Sequence, residues 1–331
     1  MIPPRSWVAS VLAAGVVPAS YVPEASLGRG DVEEFIGADP VEDTELCLHA
    51  LTATSPFAAS SVAFLDGIEQ WQIVGYSGVT PIVRAYVAAA IRRRSMDRRP
   101  RTVAEEAEEV AITRLDHLTT AARAALLATR VRMAEFSAAD AGQPARAVPA
   151  ARVEVQKARA TLERRLAERH LETLGAGDWL IVDGVLSDSA ALSAHPRVLG
   201  VVKSHGAQYF AGAELERALT LPVAHRTSVF RPRSRGARRE IYSWYLRLWP
   251  WEGSDLLYGL LRVEARAHPD TIALASAVSC WLMRERAPLA TPDRRWDRLL
   301  YPVHDVETYL RTRAPRDFLP PLRSRLPRTG S

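Results

Sequence analysis

Two cysteines, Cys47 and Cys280, are all that the 331 residues contain, too few for a disulfide framework and without the spacing of a zinc site. That scarcity suits a reducing cytoplasm. No run approaches the roughly 20 apolar residues of a membrane-spanning helix. The apolar stretch from Trp7 to Val17 follows a single charge, Arg5, and is short and interrupted by Ser10, which argues against a secretory leader. A soluble protein with no membrane partner is expected. There is no Gly-rich phosphate loop, no HExxH helix and no nucleophile elbow, which counts against an ATPase, a zinc protease and an esterase. No internal repeat is present, and no low-complexity linker forces a second compact domain.

What is present is enough apolar material, 47% of the chain, to bury a substantial core. The 43 Lys+Arg exceed the 38 Asp+Glu only slightly, but the surplus is clustered. Arg92, Arg93, Arg94, Arg98, Arg99 and Arg101 form one group, and Arg226, Arg231, Arg233, Arg235, Arg238 and Arg239 another. Guanidinium groups match phosphate geometry, so these are candidate nucleic-acid contacts as well as ordinary solvated surface. Aromatics from Tyr242 to Trp251 follow the second group; such rings can stack bases but more often pack in a core.

Residues 1–60 read as an N-terminal extension with some helix and an acidic stretch from Asp31 to Glu45. From Ser61, three short strands are expected: Val62 to Leu65, Trp71 to Tyr76, and Ile82 onward, forming an antiparallel meander. A helical insert follows, about 102–175, with two long helices broken at Gly142-Gln143-Pro144. Glu105, Glu106, Glu108 and Glu109 would then lie near a helix start. Trp179 to Asp183 and Val198 to Lys203 suit a right-handed β-α-β crossover. Tyr242 to Leu248 and Leu260 to Ala265 read as strands, Thr271 to Arg286 as a helix, and 316–331 as a tail. The expected class is α/β, a ribonuclease H-like mixed sheet with a helical insertion, spanning 61–315.

Two strand-ending Asp-Gly signatures carry the chemistry: Phe64-Leu65-Asp66-Gly67 and Ile181-Val182-Asp183-Gly184. Each is also a plain turn dipeptide. Together they would offer two rigid carboxylates to a divalent cation, and a third acid is sought in the preceding helix among Glu163, Glu168 and Glu172. Lys203 could meet a phosphate, Arg262 and Glu264 share a strand face, and Asp188 and His205 are weaker candidates.

The chain resembles the NurA nuclease family through Phe64-Leu65-Asp66-Gly67, Gly75-Tyr76, Pro81-Ile82-Val83-Arg84, Trp179 to Leu186, Gly200-Val201-Val202-Lys203, Gly259 to Glu264 and Leu300-Tyr301-Pro302. The likeness spans about Ser61 to Leu310. It implies a Mn2+- or Mg2+-dependent deoxyribonuclease, a 5′–3′ exonuclease and/or single-strand endonuclease. Such an enzyme resects single- and double-stranded DNA ends during double-strand break repair, as a homodimer working with a HerA-type hexameric ATPase. Carried over, Asp66 and Asp183 match the metal-binding aspartates, Glu163 aligns best as the helical glutamate with Glu168 its competitor, and Tyr301 matches a late tyrosine of the active site. The family's following histidine has no clean equivalent, since His304 lies too close and Tyr309 holds the nearer spacing. Arg84, Lys203, Arg231, Arg233 and Arg262 are the expected DNA contacts. The rival expectations are a non-catalytic DNA-binding scaffold of the same fold and an RNA-directed enzyme.

Overall fold

The computed structural model describes residues 6–18, 34–52, 57, 59–94, 99–203, 205, 207–233, 239–252, 256–286 and 300–315. In chain order these form α1 (Ser6–Ala13), β1 (Val17–Pro18), β2 (Glu34–Phe35), β3 (Ala38–Pro40), β4 (Leu48–Ala50), β5 (Ser61–Ser77), β6 (Thr80–Arg94) and β7 (Pro100–Thr113). A 3-10 turn at Leu115–His117 leads to α2 (Thr120–Leu127), β8 (Arg132–Glu135), α3 (Ala138–Ala141), α4 (Pro144–Leu171), β9 (Asp178–Asp183), α5 (Ala190–Ala194) and β10 (Val198–Val202). The remainder is β11 (Ala207–Gln208), α6 (Gly212–Leu219), β12 (His225–Thr227), β13 (Phe230–Pro232), β14 (Ile241–Arg247), β15 (Leu260–Arg266), α7 (Pro269–Glu285) and α8 (Tyr301–Arg313). Arg98, Arg235, Arg238 and the tail 316–331 lie outside the described residues. No described helix is long and apolar enough to cross a membrane.

The protein is α/β, with a large mixed sheet ordered β3-β13-β14-β15-β10-β9-β5-β6-β7-β8. β5, β6 and β7 pair antiparallel, whereas β9 joins β5 in parallel and β10 joins β9 in parallel. β9 and β10 are short apolar runs because both of their faces are covered. Alternation along the strands sorts the core into two layers. Ala63, Leu65, Ala89, Ile91, Leu180 and Val182 face α4, which meets them with Ala151, Val155, Ala158, Leu162 and Leu166 at helical spacing. Phe64, Ile68, Ala90, Ile181 and Val201 face the other way, onto Val278 and Leu282 of α7 and Val303, Val306 and Leu310 of α8.

Two expectations are overturned. The segments Val62 to Leu65 and Trp71 to Tyr76 are one continuous strand, so Asp66-Gly67 is no turn but lies mid-ladder, Asp66 opposite Ala90 and Gly67 opposite Ala89. The real turn is Gly78-Val79, where Gly78 takes φ +61°. The expected helix from Thr102 is strand β7, which completes the meander along the whole of β6. Its inner half, Val110 to Thr113, is fully buried, and the glutamates of its outer half meet arginines across the sheet and from α4. Pairing the long edge of β6 outweighs the helix propensity of a Glu- and Ala-rich segment. The N-terminal stretch is also built into the fold: β3 and β4 pair with β13 and β12, and Trp7 donates to the buried Glu109.

Candidate metal centre

Asp66 sits at the middle of the sheet on β5, 4% exposed, its Oδ1 accepting the N–H of Gly67 at 2.8 Å. One strand over, Asp183 ends β9 on the same face as Ile181, and Lys203, just past β10, places Nζ 2.7 Å from Asp183 Oδ2. The third acid comes from the opposite face. Glu163 of α4 is 8% exposed and packs against Gly67, where a Cβ would collide with Glu163 Oε1 and stand 3.0 Å from the Ala88 carbonyl oxygen. The glycine of the first Asp-Gly pair therefore makes room for a neighbouring carboxylate and does not serve a turn. Gly67→Ala is expected to displace Glu163 and weaken Mn2+ binding about tenfold, a loss of roughly 1.4 kcal/mol, as read by calorimetry.

Arg159, one turn before Glu163, donates to Glu163 Oε1 and to Glu69 Oε2, both at 3.2 Å. Burial pushes the Asp66 carboxyl well above its ordinary range, and the charges of Asp183 and Glu163 add to this against the pull of Lys203 and the Gly67 N–H. Burial likewise raises Glu163, to about 7, although Arg159 opposes it. Burial alone would lower Lys203, but Asp183 and Asp66 hold it above the usual lysine value. Four carboxylates, from Asp66, Glu69, Glu163 and Asp183, thus face two cations, Arg159 and Lys203. An all-oxygen donor set is what Mn2+ or Mg2+ takes.

Glu168 is not part of this group. It accepts the Ser189 hydroxyl at 2.6 Å, and Ser189 caps α5 through Leu192 N. Glu168→Gln should leave metal-dependent activity within about twofold of the parent, since a hydrogen bond to a capping serine is all it alters. From α8 the charge that reaches Lys203 is that of Glu307, whose carboxylate lies 3.6 Å from His304 Nδ1. Tyr301 opens the same helix six residues earlier and is half exposed. Glu69, Arg159 and Glu307 were missed in sequence. Only Arg159, four residues before Glu163, carried a local signal.

The expected DNA contacts separate. Lys203 belongs to the centre, but Arg84 is buried in a two-pronged pair with Glu109 at 2.7 and 2.8 Å, and presents nothing to phosphate. Arg262 is also buried, paired with Glu264 and lying 4.9 Å above the Tyr209 ring. Glu264 in turn accepts Leu186 N at 2.7 Å and so fixes the chain just after Asp183. These two arginines are structural because alternation turns them into the protein and supplies a carboxylate partner. Arg231 and Arg233 are exposed and share Asp39 near the far edge of the sheet, five strands from β5. Of the other weak candidates, His205 bonds the Leu260 carbonyl at 3.1 Å.

A second acidic group, Glu42, Asp43 and His49, has ligand atoms all within 4.8 Å of one another, tighter than the carboxylates around Asp66. Glu42 in it is already paired with a cation, and Asp43 is hydrogen-bonded within the protein. Arg226 grips Glu42 at 2.6 and 2.7 Å, and the Ser228 hydroxyl and His49 bond Asp43 at 2.6 and 2.8 Å. Burial would raise Glu42, but Arg226 and the Val229 N–H bring it below its ordinary value, and the Ser228 hydroxyl lowers Asp43. Comparison with protein-family models and with curated proteins finds no match to this chain.

Proposed function

We propose that the chain is a Mn2+- or Mg2+-dependent deoxyribonuclease with a ribonuclease H-like sheet, as its resemblance to the NurA family implies. The observation that carries the reading is the electrostatic coupling of Asp66, Asp183 and Glu163, carried on three separate elements, with the ionisation of Asp66 and Glu163 resisted by burial and by neighbouring charge. The strand order β7-β6-β5-β9-β10, with the first three antiparallel, the last two parallel to β5 and α4 leading into β9, supports the fold assignment.

Asp66, Asp183 and Glu163 would hold the cation. A bound divalent ion would lower the pKa of a water and stabilise the oxygen leaving a phosphodiester. Arg159 fixes the Glu163 carboxylate from behind, and the Glu264 bond to Leu186 N holds the turn that follows Asp183. Lys203 keeps Asp183 oriented and brings a positive charge to the place where a phosphate oxygen would approach. None of these groups has the geometry of base readout, so low sequence specificity is expected. A second copy of the chain and a HerA-type ATPase are the partners that accompany this reading, in a cytoplasmic setting.

Linear double- and single-stranded DNA incubated with the protein should be degraded with Mn2+ and remain intact with a chelator, and matched RNA tests the choice of sugar. DNA that stays intact in Mn2+ would contradict the proposal. The Lys203 contact, which neutralises Asp183 without a metal, favours the scaffold as second reading. Calorimetry separates the two, because a scaffold gives no heat on Mn2+ addition.

A further inference from the structure

The strands at the two ends of the sheet order, β3 and β8, have three and four residues, short enough to offer little to another chain. β7 differs. It runs the whole length of β6, but β8 pairs with it only from Val110 to Thr113, and among the described residues no strand lies against residues 100–109 on the side away from β6. That edge meets solvent: Arg101, Thr102, Val103, Glu105 and Ala107 are exposed, Val103 by 43%. Alternate backbone N–H and C=O groups of such an edge point outward and form a template for one more strand.

A run of glutamates would ordinarily guard an edge by repulsion. Here the chain offsets it: Glu105 meets Arg313, Glu106 meets Arg165 and Arg169, and Glu108 meets Arg132. These contacts also fix the faces of the strand. Glu105 turns to α8 and Glu106 to α4, so Arg101, Val103 and Glu105 share one face and Thr102, Ala104 and Glu106 the other.

A second copy that continued the sheet antiparallel would be related by a twofold axis perpendicular to it, and only residues of like face would oppose each other. The possible registers are therefore few. With Glu105 on the axis, two carboxylates oppose each other; with Ala104 there, Val103 opposes Glu105; with Thr102 there, Arg101 opposes Val103. With Val103 on the axis, the exposed valine meets its own copy, Arg101 opposes Glu105 on both sides and Thr102 opposes Ala104. This register alone joins an apolar centre to flanking pairs of unlike charge.

We propose that residues 99–107 of β7 pair antiparallel with the same residues of a second copy of this chain, with Val103 on the twofold axis. The sheet then runs through both copies. Pro100, which has no N–H to give, falls near the end of the paired stretch. The contact draws on no group of the metal centre, so it stands or falls apart from the nuclease reading.

The test is analytical ultracentrifugation of the full chain. The parent should sediment as a dimer at micromolar concentration, and Asp66→Asn should do the same whatever becomes of the nuclease activity. Arg101→Glu and Glu105→Arg should each weaken the dimer by about tenfold or more, since each sets like charges opposite one another. Mixed together, these two variants should dimerise with each other, because every cross-strand pair of the mixed interface is again of unlike charge; this recovery also shows that both are folded. Val103→Cys should form a disulfide-linked dimer on mild oxidation, while the parent and Ala107→Cys, whose position opposes Arg99, should not. A parent that stays monomeric would overturn the proposal. So would a dimer that both charge reversals leave unchanged and Val103→Cys does not link.

Discussion

Asp66→Asn and Asp183→Asn should each reduce Mn2+-dependent degradation of linear DNA by about a thousandfold or more, equivalent to roughly 4 kcal/mol of transition-state stabilisation. The two should differ in stability. Asp66 is buried, and its carboxyl is driven toward the neutral form by burial and by Asp183, so an isosteric neutral amide removes an unfavourable charge. Metal-free Asp66→Asn should melt at or above the parent temperature. Asp183→Asn takes the carboxylate away from Lys203, which is largely buried, and leaves that ammonium without its direct partner. It should melt below Asp66→Asn. Loss of activity in both, with Asp66→Asn melting no lower than the parent, distinguishes removal of metal ligands from general unfolding; full activity in both would refute the assignment.

The second large effect is a linkage between protons, metal and stability. Glu163 titrates near 4.5 when unconstrained and near 7 in the folded protein. Between these values the folded chain binds more protons than the unfolded one, so metal-free stability is greatest at low pH in this window and falls as pH rises through 7. At 1.36 kcal/mol per pH unit, Glu163 alone contributes on the order of 3 kcal/mol, and the raised Asp66 acts in the same direction. Burial and nearby arginines lower His170 and His195, which favours higher pH over part of the same range. Glu163→Gln isolates the carboxylate, because its stability should fall less than the parent's between pH 5 and 8. Mn2+ binds the ionised carboxylates, so it should raise the melting temperature more at pH 8 than at pH 5 and release protons on binding near pH 6. Equal pH slopes in parent and variant, with no proton release, would count against the site.

The two Asp-Gly pairs show how far the sequence could be read. Ile181-Val182-Asp183-Gly184 ends a strand as expected, since a short apolar run closed by Asp-Gly has few other interpretations inside an α/β sheet. Phe64-Leu65-Asp66-Gly67 has the same local chemistry and does not end a strand, because the reason for its glycine is Glu163, about a hundred residues away. Local spacing did not separate Glu163 from Glu168; a serine capping the next helix does. The Glu105 to Glu109 run favours helix by propensity and forms a strand because β6 offers a long unpaired edge. Charge was legible as clusters and not as pairs. Arg84 and Arg262 met their carboxylates inside the protein, and Glu69 joined the candidate site, through Arg159, from a segment read as a turn.

The central claim is where the cation goes, and anomalous diffraction from a Mn2+-soaked crystal tests it directly. A peak bounded by Asp66, Glu163 and Asp183 is the expected result. A peak at Glu42, Asp43 and His49 with none beside Asp66 would contradict it.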